Sequence, residues 1–372
     1  MSATPPVRAI GIMSGTSADG IDAVLASVSW TAGAPRVQLL LHRAVPFTAD
    51  QRERVLRAVG GAANVPELAM LHGTLGDLYA EVAMGLVQGR GADVIGLHGQ
   101  TVAHLPASRV TLQIGDAARV AVRTAVPVVS DLRSADIAAG GEGAPLTPFA
   151  DHVLFADGAP RVVLNLGGIA NVTLIPDADA DHVRGFDTGP GNMVLDTIAR
   201  TTGARYDRDG AGARRGRVVT EALEAALLHP FFARRAPKSA GREEFGGRFA
   251  LDLERAVRER GGSYEDALAT ATELTARTVA DAIREETPRR VGWRDVLVGG
   301  GGAANPALMD ALRGALAPIP VRPTDELGVP AEAREALAFA ILAAYRLRGL
   351  PNTLPRCTGA SRAVSAGAIH AP

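Results

Sequence analysis

Two strand–turn–strand hairpins, one near the start of the chain and one near its middle, each followed by helical stretches, restrict this sequence more than any other feature. Ala9 to Ile12 and Asp22 to Val28 read as strands around the polar turn Met13 to Gly20. Arg161 to Leu166 and Ala170 to Ile175 read as strands around Gly167-Gly168. Apolar runs of strand length punctuated by turn residues are the hairpin signal. Helical patterns follow at Asp50 to Ala58 and at Pro66 to Gln88, the second with Asn64 as cap and Pro66 in its first turn. Short strands are predicted at Val94 to Leu97, Val110 to Ile114 and Val126 to Val129. The second half gives helices over Asn192 to Thr202, Thr220 to Leu228, Phe249 to Arg260 and Ser263 to Glu285. In the last of these, Ser263 and Asp266 form a capping-box signature. Asp295 to Val298 is a strand running into Gly299-Gly300-Gly301-Gly302, a helix starts at Pro306, and Pro330 to Leu347 closes the helical set. The pattern is α/β. Two halves with similar openings imply a duplicated domain with a cleft between the copies. The division expected is 1–150 and 151–372, with the boundary between Thr147 and Arg161 and the final helix returning to the first domain.

With 372 residues, 47% of them apolar and 21% charged, the chain has material for sizeable cores and no compositional case for disorder. A net charge of −1 argues against bulk electrostatic binding of nucleic acid. Cys357 alone cannot build a disulfide framework or a thiolate zinc cluster. The N-terminal residues show no signal-peptide pattern, and the longest apolar run, Ala336 to Tyr345, is far below the roughly 20 residues that span a bilayer. A cytoplasmic globular protein is expected. Of 39 cationic residues, only Lys238 is lysine. GC-rich codon pressure explains the bias, and a lysine that survives it either is left by chance or sits where a compact ammonium is required.

Several motifs bear on nucleotide chemistry. A P-loop needs lysine after glycine at a strand–helix junction, and the only lysine follows Ala236-Pro237, so that motif is excluded. Gly299-x-Gly301-x-x-Ala304 matches the dinucleotide fingerprint formally, but lies too late in the chain to open a doubly wound domain. It reads instead as a strand end lying against adenosine, or as a close-packed turn. Ser14-Gly15-Thr16-Ser17 concentrates hydroxyls and amides that can wrap phosphate without lysine, with Asp19 and Asp22 placed for Mg²⁺. Its alternative is a hairpin turn satisfying its own backbone. Asp187, ahead of Thr188-Gly189-Pro190-Gly191-Asn192, is either a general base with helix amides nearby for anionic oxygens, or a helix cap. His98-Gly99-Gln100-Thr101 suits recognition of sugar hydroxyls, though an isolated histidine is more often structural. No metal-ligand cluster stands out among the eight histidines.

Taken together, Gly11 to Asp22, His98-Gly99-Gln100-Thr101-x-x-His104, Asn165 to Asn171, Phe186 to Asn192 and Pro237-Lys238-Ser239 resemble the anhydro-N-acetylmuramic acid kinases, in order, from about Ile10 to Ile369. The resemblance implies two duplicated actin-like (ribonuclease H-like) domains that close on ATP. It implies transfer of the γ-phosphoryl group of ATP to O6 of 1,6-anhydro-N-acetylmuramic acid while water opens the anhydro bridge at C1, a step of murein recycling. On this chain it makes Asp187 the base that activates water. Ser14, Gly15, Thr16, Ser17, Asp19 and Gly20 form the first phosphate site, Gly167 and Gly168 the second, and Gly299, Gly300 and Gly301 border adenosine. It assigns His98, Gln100, Thr101, Arg133, Lys238 and Glu335 to substrate, Asp19 to Mg²⁺ through water, and a homodimer. Ala18, Glu142 and Asp151-His152 depart from the family's usual residues on the sugar side. A kinase of another sugar and a catalytically silent nucleotide-binding regulator are the competing readings, and a dinucleotide-dependent dehydrogenase is a distant one.

Overall fold

The computed structural model describes residues 5–15, 18–31, 34–287 and 291–372. Two compact units divide the chain: residues 1–155 with 333–372, and residues 156–332.

The first unit is built on β1 (Val7–Met13), β2 (Gly20–Thr31), β3 (Ala34–Pro46), β4 (Val94–Leu97) and β7 (Val128–Ser130), with β5 (Gln100–Leu105) and β6 (Val110–Ile114) forming a separate ribbon. A C-terminal strand, Ala368–His370, pairs antiparallel with β7 at the sheet edge. From the other edge the order is β3-β2-β1-β4-β7, with β1–β3 antiparallel and β4 and β7 added in parallel. Side chains alternate along β1. Ile10 and Ile12 enter a core with Leu75, Tyr79 and Leu86 of the helix Val65–Val87. Gly11, on the opposite face, pairs with Gly96 of β4. That side-chain-free pair lets the helix Arg334–Leu347 lie directly on the sheet: a Cβ on Gly11 would fall 1.9 Å from the Ala336 carbonyl oxygen, and one on Gly96 2.1 Å from that of Phe339. The expected Asn64 cap is present as a full capping box with Glu67.

The second unit repeats the topology. Its strands β8 (Arg161–Leu166), β9 (Ile169–Ile175), β10 (Arg184–Pro190), β11 (Asp295–Gly299) and β12 (Val321–Pro323) take the order β10-β9-β8-β11-β12, again with three antiparallel strands extended by two parallel ones. The helix Tyr264–Glu286 is the central core element, started by the Ser263–Asp266 capping box. The chain is therefore α/β with one ribonuclease H-like sheet pattern used twice. Apolar patterning predicts no strand over β3 or β10 and no helix over Ala117–Thr124, yet all three form. β3 is an edge strand whose side chains are all exposed or half-buried, so it carries little apolar signal.

Candidate active site

In the second unit, β10 places Asp187 opposite Asn171 of β9, which faces Asn165 of β8, which faces Gly299 of β11. Directly paired residues share a sheet face, so one acid and two amides form a row that ends at the glycine strand. A bulge between Asp187 and Gly189 follows at once. Gly189 sits at φ +146°, and a Cβ there would lie 2.7 Å from the Phe232 ring. Asp187 is half-buried, its Oδ2 accepts from the Ala240 N–H at 2.8 Å, and its own N–H donates to the Lys238 carbonyl at 3.0 Å. The segment 238–240 thus flanks the acid on the open edge of the strand. Helix capping does not explain Asp187, because the helix Asn192–Arg200 is capped by Gly191, with no side-chain hydrogen bond.

The β8–β9 turn is clamped to that helix. Gly191 and Met193 donate to the Gly168 carbonyl at 3.0 and 3.2 Å, and Asn192 donates to that of Gly167 at 2.8 Å. A Cβ on Gly191 would fall 2.4 Å from the Gly167 oxygen, so this approach requires glycine. The expected use of these helix amides for anionic oxygens is corrected by these bonds, since the amides hold the turn instead. Gly300, at φ +83°, packs against Asn165 and Leu166, where a Cβ would lie 2.7 Å from Asn165 Oδ1. Gly167, Gly168, Gly299, Gly300 and Gly301 therefore converge around one end of β8.

Lys238 is buried, with Nζ 4.8 Å from the centre of the Phe231 ring. Burial lowers its pKa, opposed mainly by Glu285 and Glu286. It lines a cavity of about 300 Å³ with Phe232, Arg277, Thr278, Asp281 and Glu285. Its carbonyl meets Asp187; its ammonium lies on the aromatic side.

In the first unit, Ser14 is buried, its Oγ 2.7 Å from the Tyr79 hydroxyl and donating to the Gly99 carbonyl at 3.4 Å. Burial pushes the Tyr79 phenol well above its ordinary pKa, so it stays protonated. The turn continues with Ala18 donating to the Gly15 carbonyl at 3.1 Å from a left-handed φ of +53°. Thr16 and Ser17 lie outside the described residues. Asp19 is half exposed, 3.7 Å from Arg52 Nε. Gly20 passes so close to β3 that a Cβ would lie 2.4 Å from the Val45 oxygen.

Around β4 and β7, both ring nitrogens of buried His98 are used. Nδ1 lies 2.8 Å from the Gly99 carbonyl, and Nε2 lies 2.9 Å from Arg133 Nη2. A carbonyl and a guanidinium fix the tautomer: Nδ1–H donates and Nε2 accepts. Burial, then the charge of Arg133, lower the His98 pKa to about 3. Arg133 Nη1 donates to the Gly143 carbonyl at 2.7 Å, and burial lowers its pKa to about 10, leaving it charged at neutral pH. Gln100 is fully buried, and its Oε1 has no partner among the described residues, as is also true of Arg133 Nε. Thr101 Oγ1 accepts from Gln113 Nε2 at 3.2 Å. Glu335 is half-buried in the first turn of the helix Arg334–Leu347. Next to it, buried Arg334 pairs with buried Asp151, which gives that departure from the usual sequence a structural partner.

The sequence marks Asn165 and Asn171 only as the ends of a motif, and gives no sign of Tyr79 or Ala240 as contributors. The two asparagines carried a signal, because polar residues flanking a glycine turn at matched distances on two buried strands are seldom there for packing.

The family model for anhydro-N-acetylmuramic acid kinase matches residues 7–372. A relative of that name from Bordetella pertussis is 45% identical over 369 residues, covering 97% of this chain and 95% of that one. Another from Salinibacter ruber is 40% identical over 380 residues, covering 98% and 96%. Among solved structures, component A of the (R)-2-hydroxyglutaryl-CoA dehydratase of Acidaminococcus fermentans is similar with a TM-score of 0.46 at 12% identity, covering 92% of this chain and 99% of that one.

Proposed function

Because this chain belongs to the anhydro-N-acetylmuramic acid kinase family, we propose that it converts 1,6-anhydro-N-acetylmuramic acid, ATP and water to N-acetylmuramic acid 6-phosphate and ADP. Asp187 is the base. It removes a proton from the water that attacks C1; the C1–O6 bond breaks, and O6 takes the γ-phosphoryl group. The observation that carries this reading is the placement of Asp187: a half-buried carboxylate that accepts from the Ala240 N–H, in register with two asparagines and a glycine strand end.

The glycine turns Gly15–Gly20 and Gly167–Gly168 are assigned to phosphates, and Gly299–Gly301 to adenosine. Backbone cradles of this type substitute for the lysine of a P-loop. Gln100, Thr101, Arg133 and Glu335 are assigned to the sugar, with the half-buried cation of Arg133 facing its lactyl carboxylate. The role of His98 is to hold Arg133, and Lys238 is assigned to the wall behind Asp187. Among the described residues no group of three or more His, Cys, Asp or Glu side chains could hold a metal. Mg²⁺ is assigned to the nucleotide phosphates, with Asp19 reaching it through water. Magnesium, when bound, neutralises charge on the phosphate oxygens. Among the described residues no helix is long and apolar enough to cross a membrane. A cytoplasmic homodimer serving murein recycling completes the proposal.

The test is a coupled assay for ADP with purified anhydro sugar, run in ¹⁸O-labelled water. The expected product is the 6-phosphate with label at C1. ADP formation without label at C1 refutes the joint mechanism, and turnover with other hexoses alone favours the rival kinase.

A further inference from the structure

Arg133 is a half-buried cation whose direct partners, the Gly143 carbonyl and His98 Nε2, are both neutral. Asp136 acts on it only through space. That carboxylate is fully buried and spends its oxygens elsewhere, Oδ2 accepting from the Gly143 N–H at 2.9 Å and Oδ1 from the Thr358 hydroxyl at 2.8 Å. Gly143 is thus gripped at both ends, by Asp136 at its N–H and by Arg133 at its carbonyl. It sits at φ +72°, where an added Cβ would lie 2.8 Å from Ile137 Cγ1 and 3.2 Å from Arg133 Cβ. A direct carboxylate partner would neutralise the guanidinium. Neutral acceptors fix its plane and leave its charge for a ligand.

We propose that Asp136 and Gly143 are positioning residues which, with His98, hold Arg133 as a receptor for the carboxylate of the sugar's lactyl ether, and so set the preference for a carboxylate-bearing anhydro sugar. This rests on the function proposed above. It adds two residues that act through Arg133, and a specificity that follows from them.

The test compares 1,6-anhydro-N-acetylmuramic acid with 1,6-anhydro-N-acetylglucosamine, the same ring without the lactyl group, on wild type, Asp136→Asn and Gly143→Ala. Binding is followed by calorimetry and turnover by ADP release. Loss of an oriented bond to a charged group should raise KM and Kd for the carboxylate sugar about tenfold in each variant. The carboxylate-free sugar and the KM for ATP should change less than twofold. Thr358→Val removes one of Asp136's partners without touching Gly143. It should give a smaller shift of the same kind, and serves if the substitutions at Asp136 or Gly143 prevent folding. Equal loss on both sugars would show a merely structural role and overturn the inference, as would unchanged affinity. If wild type binds the carboxylate sugar preferentially but transfers no phosphoryl group, the kinase reading fails, while the Kd ratio still tests this one. If wild type shows no preference, the inference is overturned.

Discussion

Replacing Asp187 with asparagine separates chemistry from structure more cleanly than any other change in this chain. The amide keeps the size of the side chain and an oxygen that can accept from the Ala240 N–H, now 2.8 Å from Oδ2. What it lacks is the ability to take a proton. A positioned base contributes about 10²–10⁴-fold, so kcat should fall by that factor, equivalent to roughly 3–5 kcal/mol in the barrier. The cost to stability is the difference between a hydrogen bond to a charged acceptor and one to a neutral acceptor, about 1 kcal/mol. In a unit the size of residues 156–332 that lowers Tm by roughly 2–4 °C. The assay is steady-state ADP release, alongside thermal unfolding and ATP binding by calorimetry. Retention of kcat within tenfold in a folded variant would refute the assignment of Asp187 as base. Loss of the folded state would show that the carboxylate serves the β10 bulge instead.

Other consequences follow from the same contacts. Lys238→Arg keeps the charge but forces a planar head into the space over Phe231, displacing the backbone that holds Asp187; kcat/KM should drop about 10–100-fold, and unchanged kinetics would mark the lysine as incidental. Gly11→Ala drives a Cβ against the Ala336 carbonyl and should cost at least about 1–3 kcal/mol by denaturant unfolding, with the first unit losing cooperativity first. His98 has a folded pKa lowered to about 3, below its unfolded value. The unfolded state therefore binds more protons between those two values, and stability should fall by about 1.4 kcal/mol per pH unit as pH drops from 6.5 toward 3. His98→Gln should flatten that part of the stability–pH curve, as measured by urea unfolding at each pH. The same pKa means that KM for the sugar should not track histidine titration between pH 6 and 8.

How far the sequence carried depends on which force acted locally. Hairpin turns and capping boxes are local, and Gly167-Gly168, Asn64 and Ser263 stand where their residues alone predict. β10 escaped notice because Thr188-Gly189-Pro190 reads as a turn, and only pairing with β9 across a bulge makes it a strand. The helix amides near Asp187 looked open to anions because the two glycine carbonyls that take them lie more than twenty residues upstream. His98 was legible as a polar neighbour of the sugar motif, but its two committed nitrogens show only in three dimensions. The grip of Asp136 on Gly143 depends on a left-handed backbone angle, which no periodicity reports.

The helix Arg334–Leu347 belongs to the first unit, although the whole second unit precedes it in the chain. During synthesis the helix that covers Gly11 and Gly96 is made only after residues 156–332 are complete. A chain stopped before residue 333 lacks that helix and leaves this face of the first sheet uncovered.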